Sequence, residues 1–226
     1  MDPWHLLVHG PADAATNMAV DEALLPSAAR RGIPLLRVYR WQRPTVSIGY
    51  FQKYPVHLEG THAIVRRPTG GGLVYHGEDT TYTVIAPPGH SLHQLPVADA
   101  YRALHEAIAA ALASTAGLRA TAESHPSATA EAEKTRAYEC FQNPVEGDVV
   151  VDGRKLAGAA QRRSRWGMLH QGSIAALVSV EQLVDGFRAV LGVEFQPYEL
   201  TPEERALADQ LAAGKYGTEP WNRRVT

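Results

Sequence analysis

Two residues in the second half of the chain, Cys140 and Lys155, have the chemistry of a covalent catalyst. A cysteine thiolate is a strong nucleophile, and a nearby ammonium group favours the thiolate over the thiol. Cys140 is the only cysteine in the sequence, and a lone cysteine is more often a small buried core residue than a nucleophile. Lys155 follows a turn and lies among glycine and alanine residues, which would leave room for a substrate. We therefore treat both as candidate catalytic residues, with a structural cysteine and a solvated lysine as the alternatives.

The second candidate site is the segment 66–79, RRPTGGGLVYHGED. Without Cβ atoms, Gly70, Gly71 and Gly72 can adopt positive φ values and turn several backbone N–H groups toward one acceptor. The two arginines that begin the segment add positive charge. The pattern favours a site that holds a carbonyl, carboxylate or phosphate group, and the alternative is a glycine-rich turn with a solvated basic flank.

Histidines offer a third kind of chemistry, because His76 and His170 could form a Cys–His pair or bind a metal ion. Neither histidine belongs to a metal-ligand spacing such as HxxxH or HExxH, and one cysteine is too few for a zinc motif. We therefore predict structural histidines and no metal site.

Composition limits the classes of protein to which the chain can belong. Its 226 residues, with 45% hydrophobic content, are enough for one large packed domain, which we expect to span 1–226. The formal net charge of −2 argues against a protein that coats nucleic acid. No run approaches the roughly 20 apolar residues of a membrane span, and the first residues lack a signal-peptide pattern. We expect no membrane association and a cytoplasmic location.

Amphipathic spacing predicts three helices, over residues 17–30, 97–116 and 201–213. Asn17 is the expected N-cap of the first helix, and Pro26 should bend or shorten that helix. The third helix begins with TPEE, which combines an N-cap threonine, a proline at N1 and a glutamate at N3.

Strands are predicted on both sides of the long central helix. Alternating and β-branched residues predict strands over 33–41, 43–52, 63–67, 73–75, 80–86 and 168–177. The segment 148–161 predicts a hairpin, because its Asp152-Gly153 pair fits a type I′ turn. The stretch 119–139 is rich in Ala, Ser, Thr and charged residues and can bury little, so we expect a mobile loop that covers a substrate.

Four motifs occur in an order typical of one enzyme superfamily. NMAVDEAL is followed by RVYRWQRPTVSIGYFQ, then RRPTGGGLVYHGED, and then VDGRKLAGAAQ with HQGSI. In this order they resemble the lipoate and biotin protein ligase superfamily, particularly its lipoyl branch, from Trp4 to about Leu191. Biotin ligases look less similar, since their arginine and glycine arrangement differs from RRPTGGG. Cys140-Phe141 resembles the ECF-type motif of cysteine-dependent octanoyltransferases from Gram-positive bacteria.

The resemblance implies an α/β fold of the α+β type, with a mixed, largely antiparallel sheet flanked by helices. It also implies an acyl tunnel between the glycine loop and the lysine hairpin, and an acyl-thioester intermediate on Cys140 with Lys155 as the second catalytic residue. The residues that match the substrate-binding motifs or could line the tunnel are Arg66, Gly70, Gly71, Gly72, Tyr75, His76, Gly158 and Ala160.

The implied activity is transfer of an octanoyl group from acyl carrier protein to the lysine of a lipoyl domain, in the glycine cleavage H protein or a dehydrogenase E2. The acyl group arrives activated as a thioester, so we expect no ATP and no cofactor. One alternative is an ATP-dependent lipoate or octanoate ligase, and another is an amidotransferase that moves octanoyl between lipoyl-domain proteins. A third is a non-catalytic acyl- or lipoyl-domain-binding module in which Cys140 is structural.

A basic cluster follows the lysine hairpin at Arg162, Arg163 and Arg165. On a chain with negative net charge, such a cluster could steer an acidic carrier protein toward the site. The alternative is the solvated end of a strand.

Overall fold

In the part of the chain that the structure describes, eleven strands in two sheets position the candidate site. The computed structural model describes residues 1–113, 121–122, 147–151 and 154–224. In chain order the strands are β1 (Asp2–Ala12), β2 (Leu35–Trp41), β3 (Thr45–Ile48), β4 (Ala63–Arg66), β5 (Val74–His76), β6 (Thr80–Ala86), β7 (Thr121–Ala122), β8 (Val149–Val151), β9 (Arg154–Ser164), β10 (Gly167–Ile174) and β11 (Val193–Pro197).

The main sheet has the strand order β11-β1-β2-β6-β10-β9-β8-β7. The pairs β1–β11 and β1–β2 are parallel. The other five neighbouring pairs are antiparallel. The prediction of a mixed, largely antiparallel sheet is confirmed.

A smaller sheet of order β4-β3-β5 carries the glycine loop. The central strand β3 pairs with β4 in parallel and with β5 antiparallel. The residues between Arg66, the last of β4, and Val74, the first of β5, therefore pass over the end of β3. This crossing brings the three glycines close to the residues that follow β3.

Helices cover both faces of the main sheet. They are α1 (Ala14–Arg31), α2 (Ser91–Gln94), α3 (Val97–Ala113), α4 (Val180–Leu191), α5 (Pro202–Leu211) and α6 (Glu219–Asn222), with a 3₁₀ turn at Val56–Leu58 and a π-helical turn at Ala212–Tyr216. The predicted capping box of α5 is confirmed, since Thr201 and Glu204 hydrogen-bond reciprocally to each other's backbone N–H groups. No helix in the described part of the chain has both the length and the hydropathy that a membrane span requires.

The two largest hydrophobic clusters lie on opposite sides of the main sheet. Because neighbouring strand residues point to opposite faces, Leu36 and Leu35 of β2 belong to different layers. Leu36 packs in the layer formed with α3 and α4, where Ile108 and Phe187 are fully buried. Leu35 packs in the layer formed with α1 and α5, which includes Leu24. The sheet is thus held between two pairs of helices.

The first helix begins earlier and runs further than predicted. Its N-cap is Asp13, whose side chain accepts from the N–H of Thr16, and it ends at the left-handed Gly32. Asn17 is buried inside the helix, and its side-chain amide donates to the carbonyl of Arg40. Pro26 does not end the helix, because the buried face continues beyond it and packing offsets the lost hydrogen bond.

Other boundaries differ for local reasons. The strand predicted over 43–52 ends at Ile48, because the carbonyls that follow accept hydrogen bonds from a side chain instead of a neighbouring strand. Strands β1 and β11 and helix α4 were not predicted. Within the predicted loop 119–139, Thr121 and Ala122 pair with β8 as a short strand, and the rest of that segment lies outside the described residues.

The predicted lysine hairpin is confirmed by the antiparallel pairing of β8 with β9, in which Val150 lies opposite Lys155. Its turn, residues 152–153, lies outside the described residues. A register shift between Val149 and Val150 adds one residue to β9. This bulge sets the position of Lys155 relative to the residues before β8.

Two histidines are buried between α3 and the main sheet. His105 donates from Nδ1 to the carbonyl of Gly147 at 2.7 Å. Burial lowers its pKa to about 4. Burial, with a smaller contribution from His105, lowers the pKa of His170 well below its usual value. Both rings are therefore neutral at pH 7.

Replacing His105 by asparagine should make stability less sensitive to acid. The pKa of His105 is about 6.5 in the unfolded state and about 4 in the folded state. Between these values the unfolded state binds more protons, so the free energy of unfolding decreases as the pH is lowered, by at most about 1.4 kcal/mol per pH unit. His105→Asn keeps a donor for Gly147 but removes this proton. Urea unfolding at pH 7, 6 and 5 gives the free energy of unfolding as a function of pH. The slope of this plot should be smaller for the variant than for the parent, by about that amount. An unchanged slope would contradict the burial effect.

Candidate active site

A narrow, partly open cavity lies between α1 and strands of both sheets. The residues that line it are Met18, Tyr39, Trp41, Ser47, Arg67, Val74, His76, Thr81, Gly158, Ala159, Ala160, Gln171, Gly172 and Ser173. The glycine loop and the lysine hairpin both contribute to its wall, as the predicted tunnel requires.

Lys155 of β9 is buried beside this cavity and forms an ion pair. Its side chain is 2% exposed, and Nζ lies 2.7 Å from Oδ2 of Asp148. Tyr101 of α3 donates its hydroxyl to Oδ1 of Asp148 at 2.6 Å and accepts the N–H of Ala159 at 3.0 Å. Burial, reinforced by Asp148, raises the pKa of Tyr101 well above its usual value, so the hydroxyl remains a donor. Asp148 and Tyr101 were not among the predicted site residues.

Gly158 provides the space that the lysine side chain occupies. A Cβ atom at this position would overlap Cε of Lys155 and would lie 2.6 Å from Nζ. The side chain of Lys155 therefore folds back over its own strand. Ala159 and Ala160, which follow, line the cavity. The small residues around Lys155 thus make room for the lysine itself as well as for a ligand.

The glycine loop lies in direct contact with the residue that follows β3. A Cβ atom on Gly49 would overlap the carbonyl oxygen of Gly71, so position 49 has no room for a side chain. Gly71 has a φ of 84°, a conformation that favours glycine. Arg67 donates from Nη2 to the carbonyls of Gly70 and Gly72, at 2.9 and 2.8 Å. The loop is therefore held by an arginine that binds its carbonyl groups.

The two arginines that begin the loop have different surroundings. Arg67 lines the cavity. Arg66 is fully buried and does not line this cavity. Its guanidinium donates to the backbone carbonyls of Gly49, Tyr50, Gln52, Asn222 and Arg224. The structure therefore places Arg67, rather than the predicted Arg66, on the ligand-facing wall.

His76 of β5 is hydrogen-bonded at both ring nitrogens. Nδ1 lies 2.7 Å from Oδ2 of Asp79, and Nε2 lies 2.7 Å from Oγ of Ser47. Trp41 stacks on the ring with the centroids 4.2 Å apart. Because Arg67 donates to Oγ of Ser47, the hydroxyl proton points to Nε2 and the ring carries its proton on Nδ1. Burial lowers the pKa of His76, although Asp79 opposes this change, so the ring is neutral at pH 7.

The polar side chains of the wall are hydrogen-bonded to one another. Besides His76, Asp79 accepts the hydroxyls of Thr81 and Ser173, at 2.9 and 2.8 Å. Burial would raise the pKa of Asp79, but His76 and the hydrogen bonds from Ser173 and the Gly77 N–H outweigh burial and lower it, so the carboxylate is ionised. A wall whose polar groups are already paired suits an apolar ligand, since no polar group loses a water partner when the ligand binds.

Asp21 of α1 connects the cavity wall to the sheet beneath it. The donors to its carboxylate are Arg37, Tyr39, Thr83 and Gln171. Gln171 in turn accepts the hydroxyl of Thr69, at the start of the glycine loop, at 2.8 Å. Nothing in the local sequence distinguishes Asp21 from a surface carboxylate, because its partners come from distant strands.

The remaining predicted residues are distributed around the cavity. Tyr75 was expected to line the tunnel, but its side chain is 44% exposed and contacts His62, because β5 directs Val74 and His76 inward and Tyr75 outward. Gly70 borders a second, open cavity. His170 lies in the core, as a structural histidine would, with Nε2 3.3 Å from the Tyr82 hydroxyl.

The predicted nucleophile, Cys140, lies outside the described residues. Within the described residues, no group of three or more His, Cys, Asp or Glu side chains could hold a metal ion.

The fold and the loop-and-hairpin site define a known class of enzyme domain. Residues 13–195 match the lipoyl protein ligase A/B catalytic domain family. The chain belongs to this family.

Two similar proteins match nearly the whole length of the chain. Octanoyltransferase LipM of Kyrpidia tusciae is 34% identical, over 99% of this chain and 100% of the relative. Octanoyltransferase LipM of Bacillus subtilis is 32% identical, over 98% of each chain. Among solved structures, the bi-partite lipoate protein ligase of Thermoplasma acidophilum is similar with a TM-score of 0.76, at 23% identity over 100% of this chain and 98% of that one. At this identity the structural similarity shows a shared fold.

Gly158→Ala should displace Lys155 while leaving the fold intact. The new methyl group would occupy the space of Cε and Nζ, at the roughly 1–3 kcal/mol that overpacking commonly costs. We expect faster labelling of Lys155 by a water-soluble amine reagent, measured from the mass of its peptide. Gly10→Ala is the control, because a Cβ atom there meets nothing within 4 Å. Labelling that matches the control would show that Gly158 does not position the lysine.

Proposed function

We propose that this chain is an octanoyltransferase of protein lipoylation. It takes an octanoyl group from the thioester of an acyl carrier protein and transfers it to the lysine of a lipoyl domain, and we expect it to act in the cytoplasm. The observation that carries the proposal is similarity along the whole chain to relatives named octanoyltransferase LipM.

The geometry of the cavity supports an acyl substrate. Its polar groups are paired with one another, and two alanines of β9 add carbon surface to the wall. A saturated acyl chain gains from such a wall, because burying apolar surface stabilises it by about 25 cal/mol per Å². Lys155 is held against Gly158, which lines the cavity next to Ala159 and Ala160, so its ammonium group can act on the head of a chain that lies along these residues.

The reaction has two thioester steps. The thiolate of Cys140 attacks the thioester carbonyl of the donor, a new C–S bond forms, and the carrier thiolate leaves and takes a proton. The lysine amine of the lipoyl domain then attacks the enzyme thioester, an amide forms, and Cys140 regains its proton. Lys155 balances the thiolate charge, and backbone N–H groups of the glycine loop stabilise the oxyanion. The acyl group remains activated throughout, so no ATP and no cofactor are needed.

Asp148 has a supporting role in this mechanism. It keeps the ammonium of Lys155 in place while Tyr101 fixes the carboxylate from the other side. The carboxylate offsets the cost of burying the ammonium charge. The pair therefore keeps a positive charge available at the site.

Cys140→Ala should abolish both a covalent octanoyl-enzyme and the transfer reaction. Lys155→Ala should slow acylation of Cys140 severely, and the double variant should lose little more, because the two groups act as a unit. The measurement is intact mass after exposure to octanoyl carrier protein, with and without hydroxylamine, which cleaves a thioester. Transfer by Cys140→Ala at the parent rate would mean direct attack of the lipoyl lysine on a bound acyl donor.

The alternative functions differ in the acyl donor that they use and in whether they need ATP. Purified protein is incubated with octanoyl carrier protein and apo lipoyl domain in the absence of nucleotide. Octanoylated lipoyl domain is expected, whereas product that forms only with ATP would indicate a ligase. An octanoylated lipoyl protein as the sole donor tests the amidotransferase. A binding module would give no product with any donor.

The predicted basic cluster separates into three different environments. Arg163 donates to the carbonyls of Leu92, His93 and Leu95 at the end of α2, so it has a structural role. Arg165 stacks over Trp166. Arg162 is part of the rim of the second cavity, 3.7 Å from Glu22.

We propose that the acidic carrier docks beside Arg162. The neighbouring Phe51 on the same rim is 75% exposed and offers an apolar contact. The rim also includes Gly70, so a partner bound there lies next to the glycine loop.

Arg162→Ser and Arg163→Ser form a matched pair that should behave differently. Arg162→Ser should slow transfer at about 10 mM salt, where the Debye length is about 30 Å, and have little effect near 1 M, where it is about 3 Å. Arg163→Ser should lower the melting temperature without such a salt dependence, because it leaves the last carbonyls of α2 unpaired. Initial rates and thermal unfolding measure the two effects. A salt-independent rate for Arg162→Ser would exclude steering at this rim.

A further inference from the structure

The outer edge of β4 is covered by side chains instead of a strand. β4 is the edge strand of the smaller sheet, so the N–H and C=O of Arg66 that face outward need other partners. Asn222 accepts the N–H of Arg66 on Oδ1 at 2.8 Å. Trp221 donates from Nε1 to the carbonyl of Arg66 at 3.0 Å. Both residues belong to the last helix, α6 (Trp221 and Asn222 within Glu219–Asn222).

The side chain of Arg66 joins this last helix to the loop after β3. Nε and Nη2 donate to the carbonyl of Asn222 at 3.2 and 2.9 Å. Nη1 donates to the carbonyls of Gly49, Tyr50 and Gln52, at 3.0, 3.0 and 2.6 Å. A charged donor gives stronger hydrogen bonds than a neutral one, and a buried guanidinium that lost these acceptors would be destabilised.

The loop after β3 in turn contacts the glycine loop. The N–H of Tyr50 donates to the carbonyl of Thr69 at 2.8 Å. Gly49 lies against the backbone of Gly71, with no room for a side chain between them. A shift of Arg66 would therefore move both loops at the cavity.

The segment 212–224, here named the C-terminal strut, is fixed at its other end on α1. Lys215 and Tyr216 bind the carboxylate of Glu22, at 2.5 and 2.6 Å. The side-chain amide of Asn222 donates to the carbonyl of Tyr216 at 2.8 Å, which links the two ends of the strut. The strut therefore connects a rigid helix to the edge of the smaller sheet.

We propose that the C-terminal strut is a positioning element for the glycine loop, with Trp221 and Asn222 as its positioning residues. It acts through Arg66, whose six hydrogen bonds to carbonyls set the spacing between β4, the loop after β3 and the strut. The structural part of this inference is independent of the reaction, whereas its effect on turnover rests on the proposed octanoyl transfer.

The test combines hydrogen exchange with kinetics on the full chain. Trp221→Phe removes the indole donor but keeps an aromatic ring, and Asn222→Ala removes the acceptor for Arg66. Glu219→Gln is the matched control, because it lies in the same helix and pairs only on the surface with Arg223. Amide exchange of residues 67–73 should become faster in both test variants and not in the control. kcat/KM for the octanoyl donor should fall roughly tenfold, with an unchanged KM for the lipoyl acceptor.

Each outcome bears on one part of the inference. Faster exchange confined to 212–224, with an unchanged glycine loop and unchanged kcat/KM, would overturn it and make the strut a packing element only. If the parent protein does not transfer octanoyl, the proposed function is rejected. Faster exchange in the glycine loop of the two test variants would still support the positioning role of the strut. Should Asn222→Ala fail to fold, Trp221→Phe decides, because it loses a single hydrogen bond.

Discussion

The ion pair between Lys155 and Asp148 is the interaction on which the rest of the site depends. Each charge costs several kcal/mol to bury, and only close geometry and further hydrogen bonds offset that cost. The fold supplies both. The β8–β9 bulge sets the register of Lys155, and Gly158 leaves room for the lysine side chain. Tyr101 donates a hydrogen bond to the second carboxylate oxygen of Asp148. The positive charge of the site thus results from an arrangement that involves the hairpin and α3 together.

Sequence patterns predicted the parts of this arrangement that are local. The hairpin, the cap of α5 at Thr201 and the fold class follow from turn chemistry, capping chemistry and ordered motifs. The partners of Lys155 could not be predicted in the same way, because Asp148 and Tyr101 meet it only through strand register and helix packing. The outward direction of Tyr75 follows from the alternation of a strand, and it was missed because the adjacent Tyr75 and His76 were both assigned to the site.

The adjacent arginines show a different limit of sequence reasoning. Arg66 and Arg67 are chemically identical, yet one binds carbonyls of the C-terminal strut and the other binds the glycine loop and Ser47. Consecutive residues at the end of a strand point in opposite directions, so the strand geometry gives the two arginine side chains different partners. Glycine patterns are ambiguous for a similar reason, since Gly49 makes room for the protein's own backbone and not for a substrate.

The mutual pairing of polar groups on the cavity wall has a consequence for how acyl preference can change. His76, Ser47 and Arg67 form one connected chain of hydrogen bonds with Asp79. Replacing Ser47 or Asp79 to admit a bulkier or more polar chain would take the hydrogen-bond partner from one ring nitrogen of the buried His76, a penalty of about 1–3 kcal/mol. Changes in selectivity should therefore require coordinated substitutions at two or more wall positions. Libraries that randomise these positions together sample functional variants that one-at-a-time mutagenesis would discard as unstable.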